Sequence, residues 1–120
     1  MGRFSVVEFA LPSVTPYVTL LHVILGFSCK ATQDLFNGVD SKRSRQLGNK
    51  HVRQAAIDML DLMNIAATLD DLRSPPSNHL EKLKGTLSDS HSVRLNRQFR
   101  IIFKWTPSGP GEVRFDNHSY

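Results

Sequence analysis

The segment SVRLNRQFRIIFKWT, residues 92–106, alternates between apolar and polar side chains along most of its length. A period of two is typical of β-strands that bury one face. A turn near Asn96–Gln98 divides the segment into two predicted antiparallel strands. HLEKLKG, residues 79–85, alternates imperfectly before it, and EVRFDNHSY, residues 112–120, is predicted as the last strand after a turn at PSGPG, residues 107–111. We therefore expect an antiparallel meander in this part of the chain.

The region before the meander has the period of helices. The segment HVRQAAIDMLDLMNIAATL, residues 51–69, carries one apolar stripe, formed by Val52, Ala56, Met59, Leu60, Met63, Ala66 and Ala67. Asn49 is expected to cap the start of that helix. A shorter helix is predicted over CKATQDLFNG and should end at Gly38, and VILGFS, residues 23–28, is predicted as a first strand. Helices followed by a run of strands predict an α+β fold, with a small antiparallel sheet and the helices packed on one of its faces.

The other face of the predicted sheet collects charged side chains. The positions opposite the bulky apolar residues of each strand include Arg94, Arg100, Arg114, Asp116 and His118. Residues 82–120 hold seven Lys and Arg against three Asp and Glu, which accounts for the whole net charge of +4. This concentration suggests a polyanionic partner, RNA or DNA, although solubility alone is an alternative explanation. Because Ile102 shares this face, we expect the face to be partly covered or concave.

The start of the chain has three interpretations. Residues 9–29, FALPSVTPYVTLLHVILGFSC, contain no charged side chain, which mimics a membrane span or a secretion signal. However, Pro12 and Pro16 interrupt the segment, and its continuous apolar part, YVTLLHVILGF, is short for a span. The third interpretation is that residues 1–22 are an N-terminal extension upstream of a native start at Val23, and that residues 23–120 form the domain.

Cysteine and histidine usage indicates neither a disulfide nor a metal site. Cys29 is the single cysteine, so no internal disulfide can form, which fits a reducing cytoplasm. The five histidines are scattered without metal-ligand spacing. We therefore predict no zinc site.

Four segments, taken in order, carry a family resemblance: FSCKATQDLFNG, NIAATLDDLRSPPSNHLEKLKG, SVRLNRQFRIIFKW and GEVRFDNH. They resemble the HigB toxins of bacterial type II toxin–antitoxin modules, in the RelE/ParE superfamily, over about residues 23–118. The resemblance implies a RelE-like fold and an endoribonuclease that cuts mRNA in the A site of the ribosomal small subunit, without metal or cofactor. It also implies a HigA-type helix-turn-helix antitoxin as partner and action in the cytoplasm, away from membranes. Family members begin just before the first strand, which favours the extension for residues 1–22.

The resemblance also implies four catalytic residues. Lys84 matches the lysine of the family's LKG, Arg100 matches the arginine after the aromatic residue of the hairpin, and Asp116 and His118 match the terminal Asp-x-His. Imidazole exchanges protons near neutral pH, so His118 is the expected general acid or base. Arg100 and Lys84 would hold the phosphate and offset its growing charge. Asp116 would orient the imidazole or act as the base itself.

Other cations of the same region are expected to contact RNA: Arg94, Arg97, Lys104 and Arg114.

Each catalytic assignment has a structural alternative. Arg100 and Asp116 can form a cross-strand ion pair, worth about 0.2–1 kcal/mol, Lys84 can be an ordinary loop lysine, and His118 can belong to a frayed terminus.

The end of the chain departs from the family pattern, and this leaves further functions open. Asn117 stands where the family often has tyrosine, and Ser119 and Tyr120 follow the histidine. One alternative function is a toxin of the same fold that acts on DNA gyrase, as ParE-like relatives do. Another is a decayed toxin that binds its antitoxin but no longer cleaves RNA.

Overall fold

A computed structural model describes residues 23–118, so the predicted extension at residues 1–22, together with Ser119 and Tyr120, lies outside the described residues. It confirms the α+β fold. Three helices, α1 (Lys30–Asn37), α2 (Lys42–Arg45) and α3 (Lys50–Ile65), precede a four-stranded sheet formed by β1 (Glu81–Lys82), β2 (His91–Arg94), β3 (Phe99–Thr106) and β4 (Gly109–Asn117). Within residues 23–118, no helix has the length and apolar character that crossing a bilayer requires.

Side-chain and glycine caps set several helix ends, and the sequence predicted two of them, Asn49 and Gly38, whereas the predicted helix over residues 51–69 ends earlier, at Ile65. The Asn49 side chain accepts a hydrogen bond from the Val52 N–H at 2.9 Å and caps α3. α1 ends at Gly38, which has a left-handed φ of 75° and donates its N–H to carbonyls of the last turn. Between them, Ser41 begins α2 with a capping box to Ser44. The loop between α1 and α2 is therefore ordered by local hydrogen bonds.

The sheet is an antiparallel meander in the order β1-β2-β3-β4. The turn predicted at Asn96–Gln98 is confirmed, because β2 ends at Arg94 and β3 begins at Phe99. The Asn96 Oδ1 accepts the N–H groups of Gln98 and Phe99, both at 2.8 Å, which fixes the turn. The resulting register places Arg94 opposite Arg100, and Arg100 opposite Asp116.

The core lies between the helices and one face of the sheet. Ile101, Phe103 and Val113 are fully buried from the sheet side, and Leu60 and Met63 are fully buried from α3. Both α1 and α3 pack against β4. One contact between a helix and the sheet is polar: the Thr32 Oγ1 of α1 accepts a hydrogen bond from the Phe115 N–H of β4 at 3.0 Å. The helices thus occupy one face of the sheet and leave the opposite face for the charged side chains.

Three predictions of strands or turns were wrong in detail. Residues 23–28 form no strand. The segment runs beside β4 and makes only a single parallel bridge to it, between Phe27 and Val113, so no continuous ladder of hydrogen bonds forms. HLEKLKG contributes only the two residues of β1. β4 begins at Gly109, so the second turn is only Pro107–Ser108. Gly109 has a φ of 129°, and a Cβ there would lie 2.3 Å from the Val23 carbonyl oxygen, so this close approach of two chain segments requires glycine.

Candidate active site

An ion pair between neighbouring strands lies at the centre of the open face. Arg100 on β3 donates its Nε–H to the Asp116 Oδ2 on β4 at 2.9 Å. The side chains are only 11% and 23% exposed, respectively. The cross-strand pair that the sequence offered as an alternative is therefore present. Because Ile101 points into the core, the alternation of β3 places Arg100 on the face away from the helices.

A second arginine holds the same carboxylate. Arg114, two residues before Asp116 on β4, donates from Nη1 to Asp116 Oδ1 at 3.3 Å. Each carboxylate oxygen therefore accepts from a different guanidinium group. Fixed in this way, the two arginines need little rearrangement to present their other N–H groups to an anion.

A β-bulge shapes the next part of the face. The register between β3 and β4 shifts between Ile102 and Lys104, since Ile102 pairs with Arg114 while Lys104 pairs with Gly111. β4 therefore contains one extra residue there, next to Glu112, whose φ is 47°. Bulges of this kind re-aim side chains, and the Lys104 ammonium lies 3.0 Å from the Glu112 carboxylate.

The Lys104 ammonium also binds Asp89, in the connection between β1 and β2, at 3.3 Å. Hydrogen bonds to Glu112 and then to Asp89 raise the pKa of Lys104, and the bond to Lys104 lowers the pKa of Asp89. Lys104 and Asp89 are therefore both charged at neutral pH. The pair ties the connecting loop to the open face of the sheet.

This loop encloses a pocket of about 190 Å³ against the sheet. The lining residues are Ser28, Thr86, Leu87, Asp89, Ser90, Ile102, Lys104, Glu112 and Arg114. Ile102 is only 2% exposed although it points away from the helices, so the predicted cover over this face is confirmed. The covering element is the β1–β2 connection, which includes the 3-10 turn Gly85–Leu87.

Three of the four expected catalytic residues lie at one end of the face. His118 donates its backbone N–H to the Gln98 carbonyl at 2.6 Å, which continues the β3–β4 pairing past Asn117. It follows Asp116 by two residues, so continued alternation puts both on the side of Arg100. Lys84 lies elsewhere: it is exposed at the start of Gly85–Leu87, in the connection that joins β2 at its other end. Lys84 and the end of the face that holds Arg100 are therefore separated by the length of β2, about 10 Å.

The four residues expected to contact RNA have different surroundings. Arg94 is half-buried at the end of β2, and Arg97 is exposed in the β2–β3 turn. Arg114 and Lys104 are both ion-paired and line the pocket. Only Arg97 therefore has the exposed loop position that a contact with an RNA backbone needs without rearrangement.

The sequence identified Asp116 but not the two other acidic partners of this face, Asp89 and Glu112. Both contribute to the charge balance of residues 82–120, and both bind Lys104. Three cations, Arg100, Lys104 and Arg114, are paired with three carboxylates, Asp89, Glu112 and Asp116, so the paired charges of this face balance. Neither contact has a local signal in the sequence, because Glu112 reaches Lys104 through the bulge of β4 and Asp89 reaches it through the β1–β2 connection. Within residues 23–118, no group of three or more His, Cys, Asp and Glu side chains is placed to hold a metal ion.

Comparison with known proteins identifies relatives over most of the chain. The family described as "RelE-like toxin of type II toxin-antitoxin system HigB" matches residues 27–118. The chain is 35% identical to Toxin HigB-1 of Vibrio cholerae over 81 residues, which cover 68% of this chain and 84% of that protein. It is also 39% identical over 61 residues to a protein of Haemophilus influenzae named only as uncharacterized, covering 51% of this chain and 60% of that protein.

Proposed function

The chain belongs to the HigB family of RelE-like toxins of type II toxin–antitoxin systems, and from this membership we propose that it is a ribosome-dependent endoribonuclease. It cuts mRNA in the ribosomal A site without a metal ion, and a HigA-type antitoxin neutralises it. Both the toxin and its targets are in the cytoplasm. The observation that supports the nuclease is the partly buried Arg100–Asp116 pair, flanked by Arg114 and followed by His118 on one side of the sheet.

The reaction begins with the scissile phosphate beside Arg100. The hydrogen bond to Asp116 uses the Arg100 Nε, so its terminal Nη groups are the ones that contact phosphate oxygens. As the 2′ oxygen attacks phosphorus, negative charge grows on these oxygens, and the guanidinium group offsets it. Preorganised donors of this kind are typically worth a factor of about 10²–10³ in rate.

Proton transfer completes the step. The 2′-OH loses a proton to a base, its oxygen bonds to phosphorus, the bond from phosphorus to the 5′ oxygen breaks, and that oxygen takes up a proton. His118 is the group that transfers these protons. Asp116 already accepts from two arginines, so its main role is to position them rather than to serve as the base. Lys84 acts from the β1–β2 connection, as a cation for the neighbouring part of the RNA backbone.

The test is induced expression in a bacterium followed by mapping of mRNA 5′ ends. The wild-type chain should arrest growth and create new ends inside translated reading frames. Arg100→Lys, which keeps the charge but loses the planar fork, should reduce cleavage by about 10²-fold or more. Arg45→Lys is the matched control, since Arg45 forms an exposed ion pair with Asp40 on α2, among the helices.

Other results would assign the chain to a different function. DNA breaks with intact mRNA would indicate a gyrase-directed toxin of the same fold. Harmless expression combined with tight binding to a helix-turn-helix protein, encoded by the adjacent reading frame, would indicate a toxin without nuclease activity. Unchanged cleavage by Arg100→Lys and by His118→Ala together would refute the assigned residues.

A further inference from the structure

The pocket beneath the β1–β2 connection has a composition that the cleavage step does not use. Apolar side chains form only a small part of its lining, namely the buried Ile102 and Leu87 of the covering turn. Its rim is polar, with Lys104 between Asp89 and Glu112. The two carboxylate side chains are 65% and 62% exposed, so solutes reach the rim from solvent.

This charge arrangement disfavours a phosphate in the pocket. Lys104 already contacts two carboxylates, and the other lining cation, Arg114, donates to Asp116. An entering anion would therefore face Asp89 and Glu112 without a cation of its own, and like charges at such distances repel. An uncharged flat ring with hydrogen-bonding groups along its edge fits a lining that is mostly polar and has Ile102 and Leu87 as its two apolar members.

The position and size of the pocket point to one part of an RNA substrate. Ile102 lies two residues from Arg100 on the same face of β3, a step of about 7 Å, which is within reach of the nucleotide next to a phosphate held by Arg100. The volume of about 190 Å³ is below the roughly 300–1,000 Å³ of pockets for drug-sized ligands, so a single flat group fits. Proteins that read single-stranded RNA hold unstacked bases in such sites by their Watson–Crick edges.

The donors and acceptors of the rim match one base better than the others. The Lys104 ammonium donates, and the adjacent Glu112 carboxylate, 3.0 Å away, offers two acceptor oxygens. Guanine presents the complement in order: O6 accepts, and N1–H and N2–H donate side by side. Adenine, cytosine and uracil each offer only part of this set. The raised pKa of Lys104, caused by its bonds to Glu112 and Asp89, keeps its ammonium donor in place at neutral pH.

We propose that this pocket binds the base next to the scissile linkage and selects guanine, with Lys104 and Glu112 reading its Watson–Crick edge beside Ile102. This inference rests on the proposed nuclease function and deepens it. Asp89 positions Lys104 from the covering loop, so it acts on base selection through Lys104 rather than by touching the base.

The experiment maps mRNA 5′ ends from cells that express the full chain and scores the base composition at each position flanking the cuts. Glu112→Gln keeps the side-chain size but replaces one acceptor by a donor. Asp89→Asn tests the same contact from a different element, so a folding failure of one variant, detected by circular dichroism, leaves the other. Asp40→Asn is the matched control, an exposed aspartate that is paired with Arg45 at 2.8 Å away from this face.

In the wild type and in Asp40→Asn, guanine should be enriched at one position beside the cut. In Glu112→Gln this enrichment should fall at least about fivefold, the lower end of what a bidentate base contact discriminates, and Asp89→Asn should lower it less. An unchanged base composition in both variants, or enrichment of another base, would overturn the inference while leaving the nuclease intact. Absence of any cuts by the wild type is a separate outcome, which defeats the proposed function and the inference with it.

Discussion

The Arg100–Asp116 pair should be strongly coupled in stability, because it is mostly removed from water. An exposed ion pair contributes about 0.2–1 kcal/mol, whereas breaking a fully buried one costs about 3–5 kcal/mol. With side chains that are 11% and 23% exposed and an Nε–Oδ2 distance of 2.9 Å, this pair lies between these limits. We expect a coupling energy of about 1.5–3 kcal/mol in a double-mutant cycle with Arg100→Gln and Asp116→Asn.

The chain supplies a matched comparison for this cycle. Arg45 and Asp40 have the same chemistry and a similar separation of 2.8 Å, but their side chains are 55% and 80% exposed. Their coupling, from Arg45→Gln and Asp40→Asn, should stay below about 1 kcal/mol and should weaken further in high salt.

Urea unfolding of the wild type and of each single and double variant measures both couplings. With a slope of about 1–3 kcal/mol per molar urea, a difference of 2 kcal/mol shifts the midpoint by roughly 1 M, which is easily resolved. Equal couplings for the two pairs would refute the argument that burial distinguishes the central pair of the open face.

Three further predictions concern other parts of the chain. Burial and the nearby cations Lys82 and Arg73 lower the pKa of His91 below its ordinary value of 6.5. As the pH drops below about 6.5, the unfolded chain therefore protonates His91 before the folded chain does, so the free energy of unfolding should fall. His91→Gln should reduce this fall in urea titrations at two pH values. Asn49→Ala removes the cap of α3 and should lower the free energy of unfolding by about 0.5–2 kcal/mol, as measured by the same titrations. Arg97→Gln should weaken binding to single-stranded RNA and reduce the slope of log affinity against log salt by roughly 0.7, whereas an unchanged slope would exclude a phosphate contact.

The parts of the fold that could be predicted are those that local chemistry decides. Asn49 and Gly38 end helices because their own side chain or backbone freedom satisfies the terminal groups. The turn after Arg94 follows in the same way from the side chain of Asn96. Alternation within one strand assigned Arg100 to the open face, and the cross-strand ion pair with Asp116, offered as the alternative to a catalytic role, is present.

The parts that the sequence did not reveal depend on relations between segments. A period of two fixes the faces of one strand, but the bulge beside Glu112 changes the register of β4 against β3 and brings Glu112 to Lys104. Asp89 reaches the same lysine only because the β1–β2 connection folds over the sheet. The segment 23–28 has the composition of a strand but makes one bridge to β4, and a further group on that strand, the Phe115 N–H, is donated to the Thr32 Oγ1 of α1 instead.

In the proposed nuclease, the pairing of charges on the open face separates attraction of RNA from its cleavage. Because the central arginines are held by Asp116, and Lys104 by two carboxylates, the face itself contributes little field at a distance. Long-range attraction must therefore come from exposed cations at its margins, such as Arg97 and Lys84. Salt screens these exposed charges far more than the partly buried Arg100–Asp116 pair. Raising the ionic strength should accordingly weaken binding of RNA much more than it slows cleavage of RNA that is already bound.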